Sequence, residues 1–95
     1  MKRTVHIAEQ VAVFGSHLAP EPRRAAKNAL RDLKKEVGDI RSLEGSLSGY
    51  YRLRIGRYRV VFAYKTDGSI AALFMEDRRL VYELFEAQFI KQLKS

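Results

Sequence analysis

Apolar residues recur along this chain in two rhythms, every third or fourth position in the first third and every second position through the middle. The two periods predict helices first and strands afterwards. Between Thr4 and Ala8, β-branched and apolar residues alternate, which predicts a short first strand. Val11, Phe14, Gly15 and Leu18 then follow at helical spacing, so a first helix is expected over about Glu9 to Leu18. Ala19-Pro20-Glu21-Pro22 interrupts it, and Pro22 suits the opening turn of a second helix. In that helix Ala26, Leu30, Leu33 and Val37 form one stripe, while Arg23, Arg24, Lys27, Arg31, Lys34 and Lys35 point to solvent. Gly38 supplies the expected C-terminal stop, and Asp39 to Ser48 reads as a loop.

From Tyr50 the period is two. Gly56-Arg57 suits a two-residue type II′ turn, which wants glycine at its first central position. Ile55 then faces Tyr58, Arg54 faces Arg59, Leu53 faces Val60 and Arg52 faces Val61. Strand alternation puts Tyr51, Leu53, Ile55, Tyr58, Val60 and Phe62 on one side of this hairpin, and Tyr50, Arg52, Arg54, Arg59, Val61 and Ala63 on the other. Like charges opposite each other cost up to roughly 1 kcal/mol, so Arg54 and Arg59 call for an anion between them. Asp67-Gly68 signals a second turn; as a two-residue turn it sets Thr66 against Ser69 and Arg59 against Glu76, with Ile70 to Met75 as the next strand. Arg79 to Tyr82 reads as extended or transitional, and Phe85, Phe89, Ile90 and Leu93 predict a final amphipathic helix. The fold class expected is α+β: an N-terminal strand, a helical hairpin, a three-stranded antiparallel meander and a short C-terminal helix, in one domain spanning 1–95.

Charge sharpens this picture more than composition does. Eighteen Lys and Arg against eleven Asp and Glu give a net charge of +7, which favours nucleic acid, an acidic protein or an anionic surface as partner. The positive field is local, because no acidic residue stands between Glu44 and Asp67 while Arg52, Arg54, Arg57, Arg59 and Lys65 all do. The absence of cysteine excludes disulfides, thiolate metal sites and cysteine nucleophiles. With no apolar run of signal-peptide or membrane-spanning length, a cytoplasmic protein is expected. His6 and His17 are remote in sequence from the arginines, and no metal-ligand spacing appears, so neither a metal nor another cofactor is expected. On these residues alone, the arginine face reads equally well as a solvated surface balanced by Glu76.

The segment from Leu43 through Gly49-Tyr50-Tyr51-Arg52-Leu53-Arg54-Ile55-Gly56-Arg57-Tyr58-Arg59 to Phe62, with the later Arg78-Arg79-Leu80-Val81-Tyr82, resembles the RelE/ParE superfamily of bacterial toxins from toxin–antitoxin systems, and most closely its RelE-like members. That resemblance covers nearly the whole chain. It implies a small toxin neutralised by an acidic antitoxin, as a homodimer or as a heterotetramer with that antitoxin. RelE-like members are endoribonucleases, mRNA interferases that cut messenger RNA on the ribosome and so inhibit translation. Their site, carried over residue by residue, falls here on Arg52, Arg54, Arg59, Arg78, Arg79 and Tyr82, with Tyr50, Arg57 and Lys65 as expected RNA contacts. Best-known RelE members have lysines where this chain has Arg52 and Arg54, one of them implicated as the base. Arginine rarely gives up its proton, which leaves either Tyr82, Glu76 or Asp77 as base or a catalysis that is mainly electrostatic and slow. Two alternatives stay open: a ParE-like toxin that inhibits DNA gyrase without nuclease activity, and an inactive relative that only binds its antitoxin.

Overall fold

The computed structural model describes residues 2–90. Five strands form one sheet in the order β1-β5-β4-β3-β2. They are β1 (Val5–Ile7), β2 (Asp39–Ser42), β3 (Tyr51–Ile55), β4 (Tyr58–Tyr64) and β5 (Ile70–Asp77). β1 runs parallel to β5, and the other neighbours are antiparallel. Helices α1 (Glu9–Ser16) and α2 (Pro20–Asp32) carry the chain from one sheet edge to the other, and α3 (Val81–Phe85) continues as a π-helical turn over Glu86–Ile90. The expected α+β class and order of elements are therefore present, with β2 as an additional meander strand. Asp39 to Ser48, read from sequence as a loop, holds β2 and a 3-10 turn over Gly45–Leu47 instead.

Both sheet faces are covered, which explains why β4, the central strand, has Val60, Val61 and Phe62 all fully buried. On one face Val11, Ala26 and Leu33 of the helical hairpin pack against Leu53, Ile55, Val60, Phe62, Ile70, Ala72 and Met75. On the other, Leu47, Val61, Phe74, Val81 and Phe85 form a second, smaller core. Each fully buried side chain of this size is worth about 1.5–3 kcal/mol. The second core occupies part of the face that alternation assigns to the arginines, and it leaves the hairpin tip uncovered.

Several local expectations are corrected. α2 starts at Pro20, so that both prolines lie in its first turn, where no intrahelical N–H is needed. It runs on into a 3-10 turn over Leu33–Lys35, which ends at Glu36 with φ 56° and not at Gly38. The left-handed conformation costs a non-glycine residue about 1 kcal/mol; here the Glu36 carboxylate accepts hydrogen bonds from Arg3 Nε at 3.0 Å and Tyr64 Oη at 2.6 Å. Burial and this bond push the Tyr64 phenol up to about 12. Beyond this turn Val37 is exposed rather than part of the apolar stripe. The β4–β5 turn has three residues, with Lys65 opposite Ser69 and Gly68 at φ 87°. A bulge at Leu73 absorbs the offset, so Arg59 still faces Glu76. Val81 and Tyr82 are helical rather than extended, and Leu93 lies outside the described residues.

Gly38 at φ 144° is one position where glycine is required, since an added Cβ would sit 2.9 Å from Leu53 Cδ1. Gly15, inside α1, has open space around it. Gly38→Ala is expected to lower unfolding free energy by about 1–3 kcal/mol, and Gly15→Ala to raise it by about 0.5–1 kcal/mol. Urea denaturation of the two variants beside the parent checks both signs.

Candidate active site

The type II′ turn forms as the sequence requires, with Gly56 at φ 59° and Ile55 opposite Tyr58. Pairing then continues across four strands in one transverse row, Asp39–Arg54–Arg59–Glu76. A second row, Arg41–Arg52–Val61–Phe74, lies two residues further along each strand, about 7 Å away. Period-two alternation places both rows on the same face. The first row is polar throughout, whereas the second runs from solvent into the small core. The arginines therefore stand at the margin between water and an apolar cluster, where charges are less well screened than in open water.

Partners differ along the rows. Arg52 is mostly covered, at 14% side-chain exposure, and Nη1 donates to the Asp39 carbonyl at 3.1 Å and to Asp39 Oδ1 at 3.2 Å. Arg54 is half exposed and lies 3.9 Å from Asp39 Oδ2. Among the described residues no carboxylate pairs with Arg59. Its Nη1 donates to the backbone carbonyls of Gly56 and Tyr58, both at 2.8 Å, which folds the guanidinium against the turn. Burial, then the Arg54 guanidinium, and more weakly those of Arg52 and Arg78, push Arg59 below the usual arginine range, with Tyr82 acting in the opposite sense. Glu76 shares the row, and its Oε1 accepts the backbone N–H of Asp77 at 3.0 Å.

Arg52, Arg54, Arg59, Arg78 and Tyr82 are thus brought together. Tyr82 reaches the group from the first turn of α3 rather than from a strand end. Arg57 and Arg79 are drawn elsewhere. Arg57 donates to Asp77 Oδ2 from Nε at 3.0 Å and from Nη2 at 2.7 Å, while Arg79 donates to Oδ1 from its backbone N–H at 2.9 Å and from Nε at 3.3 Å. Asp77 pairs with Tyr58, so this cluster belongs to the helix-covered face. The Arg79 N–H first, and Arg57 next, hold the Asp77 carboxyl down at about 2. A carboxylate with both oxygens so engaged, on the opposite face, does not serve as base for the arginine row. Tyr50 packs edge-on against Phe85 at 5.0 Å, at the border of the small core. Lys65 lies beyond the far end of β4, about 20 Å from Arg59. Arg41, opposite Arg52, is the residue that sequence reasoning missed. Gly38-Asp39-Ile40-Arg41-Ser42 offers only one apolar residue, too little alternation to announce an edge strand.

No ordinary metal site accompanies these groups: among the described residues no cluster of three His, Cys, Asp or Glu is positioned to hold an ion. No helix there is long and apolar enough to cross a membrane.

Comparison with known proteins gives a divided result. No protein-family model matches the chain, and no curated protein does. Solved structures match well. The archaeal RelE–RelB complex from Pyrococcus horikoshii is similar at 30% identity and a TM-score of 0.64, over 82% of this chain and 97% of that one. The RelBE2 toxin–antitoxin complex from Mycobacterium tuberculosis aligns at 21% identity and a TM-score of 0.71, over 82% of this chain and 100% of that one. The RelB–RelE antitoxin–toxin complex from Methanococcus jannaschii aligns at 21% identity and 0.65, over 83% and 96% respectively, which supports the same fold.

The Asp77 cluster carries a signed pH dependence. Its folded-state pKa lies below the ordinary value of 3.8, so its contribution to stability is complete above about pH 4 and is lost as pH falls through about 2. The stability difference between the parent and Asp77→Asn is therefore expected to be constant from neutral pH down to about 5, and to shrink to nothing below about 2. Denaturant midpoints measured across that acid range check it.

Proposed function

Because the chain belongs to the RelE-like toxin superfamily, we propose that it is the toxin of a toxin–antitoxin pair, neutralised by an acidic antitoxin, and that its arginine row cleaves messenger RNA at the ribosome. One observation carries this reading: Arg59 faces Arg54 across the turn with no carboxylate of its own, surrounded by Arg52, Arg78 and Tyr82. A surface that needed only solvation has no reason to gather three guanidiniums around a fourth, Arg59, that lacks a carboxylate partner among the described residues. A phosphodiester takes that place.

In the reaction the ribose 2′-oxygen bonds to the adjacent phosphorus as the bond from phosphorus to the next nucleotide's 5′-oxygen breaks. The 2′-hydroxyl proton leaves to a base, and the departing 5′-oxygen takes up a proton from water as a 2′,3′-cyclic phosphate forms. Arg54 and Arg59 hold the non-bridging oxygens as the phosphorane gains charge, a task for which guanidiniums are suited because they donate two parallel hydrogen bonds. Arg52, fixed by Asp39, supplies a stationary positive charge beside them. Arg78 faces the leaving oxygen, and Tyr82 stacks on a base or orients the 2′-hydroxyl. Glu76 is the carboxylate left for the proton, since it stands next to Arg59 in the row and Asp77 is engaged elsewhere. Arg79, tied to Asp77, drops out of the chemistry.

Induction of the chain in bacteria is expected to deplete messenger RNA. Arg59→Ala is expected to slow cleavage by about a hundred- to a thousandfold, and Glu76→Gln to slow it while leaving RNA binding intact. Supercoiling defects with intact RNA would establish the gyrase-binding alternative instead.

A further inference from the structure

β2 closes one edge of the sheet, and among the described residues no strand pairs with its outer side. Leu43, just past β2, donates its N–H to the Tyr50 carbonyl at 2.9 Å, in the register that sets Ser42 against Tyr51. Hydrogen-bonded and non-bonded positions alternate along an antiparallel ladder. Asp39 and Arg41 therefore turn their backbone groups toward β3, and Ile40 turns its N–H and C=O outward. An open edge of this kind is a template for another strand. The usual defences are missing from β2, which holds no proline, no lysine and no register shift.

The strand carries one acid and one base, Asp39 and Arg41, both on the arginine face, while Ile40 between them packs against the larger core on the other. Asp39 serves Arg52 and Arg54, and among the described residues no carboxylate pairs with Arg41. A strand with this pattern is complementary to itself. Turned about a two-fold axis that passes beside Ile40 and is normal to the sheet, β2 meets a second β2 antiparallel, and the two Ile40 residues exchange both of their outward hydrogen bonds. Asp39 then stands opposite the partner's Arg41. That position is a non-hydrogen-bonded one, where opposed Cα atoms are about 4.5 Å apart and side chains are closest. Opposite charges so placed attract, and the symmetry makes the contact twice.

We propose that the chain forms a two-fold homodimer through β2, which joins the two sheets into one and brings the partner's Arg41 into each arginine row. The row then runs Glu76–Arg59–Arg54–Asp39 and continues through the partner's Arg41 to the partner's Arg52. With the axis normal to the sheet, both arginine faces point the same way and form one basic surface. Four residues a side bury less than the 1,200–2,000 Å2, approximately, of a stable interface, and a charge of +7 on each copy opposes association. The dimer is therefore weak, with a Kd on the order of 0.1 mM. It rests on the edge strand alone and not on the nuclease reading.

Sedimentation velocity of the whole chain, from micromolar concentrations up to about 1 mM, is expected to show monomer giving way to a species of twice its mass. Arg41→Asp sets acid against acid at both contacts, and Asp39→Arg sets base against base, so each variant alone is expected to pair more weakly than the parent by about tenfold or more. Mixed in equal amounts, the two variants regain opposite charges at both contacts, and a heterodimer is expected at the parent's affinity or better. Misfolded chains would give no such rescue. Hydrogen exchange supplies a backbone readout: the Ile40 amide is expected to exchange freely in dilute parent protein and to become protected as the dimer forms. A parent that stays monomeric up to about 1 mM, or whose dimer withstands both charge changes, would overturn the proposal. So would a mixture no heavier than the separate variants, or an Ile40 amide whose exchange is the same at every concentration.

Discussion

Two arginines face each other across a type II′ turn at the open end of the sheet, and the rest of the site is arranged around that repulsion. Ordinary remedies are partly withheld. Asp39 neutralises the β2 side of the row through Arg52 and, more distantly, Arg54, while the Glu76 carboxylate accepts from the backbone N–H of Asp77. Among the described residues Arg59 is left with only backbone carbonyls. The cost is modest, up to roughly 1 kcal/mol for a like-charged cross-strand pair, and a two-sided sheet with a buried central strand can bear it. What it leaves is a positively charged row in which Arg59 rests on backbone carbonyls alone among the described residues.

Topology explains how so small a chain sustains this. Helices α1 and α2 pack on one face, so the hairpin is anchored by Leu53, Ile55, Val60 and Phe62. Only the far half of the other face is covered, by α3 and the core around Phe85. α3 therefore does two things at once: it closes a core with Val81 and Phe85 and delivers Tyr82 to the arginines. The opposing Asp77 cluster gathers Arg57 and Arg79 on the other face, so that neighbouring arginines in sequence serve different surfaces.

The hairpin was legible because each of its signals is local: a glycine where type II′ demands one, and alternation from Tyr51 to Ile55 and again from Tyr58 to Val60. The opposition of Arg59 and Glu76 was legible too, although through two errors that cancel, a turn one residue longer than Asp67-Gly68 suggests and a bulge at Leu73. β2 was not legible, since an edge strand with the single apolar residue Ile40 carries no periodic signature, and Arg41 was lost with it. Nor does any pattern in Asp77-Arg78-Arg79 reveal which arginine the carboxylate captures. That is decided by the pleat, which turns Asp77 toward Tyr58 and Glu76 toward Arg59.

The central claim is that Arg59 is held unpaired in order to receive a phosphate. Its most direct test is the denaturation midpoint of the parent and of Arg59→Gln, each with and without a short 2′-deoxy oligonucleotide that binds without being cut. Binding to the folded state alone raises stability in proportion to the logarithm of ligand over Kd. The account predicts a clear rise for the parent and little or none for Arg59→Gln, with the variant no less stable than the parent when the oligonucleotide is absent. Equal rises in the two proteins would contradict it.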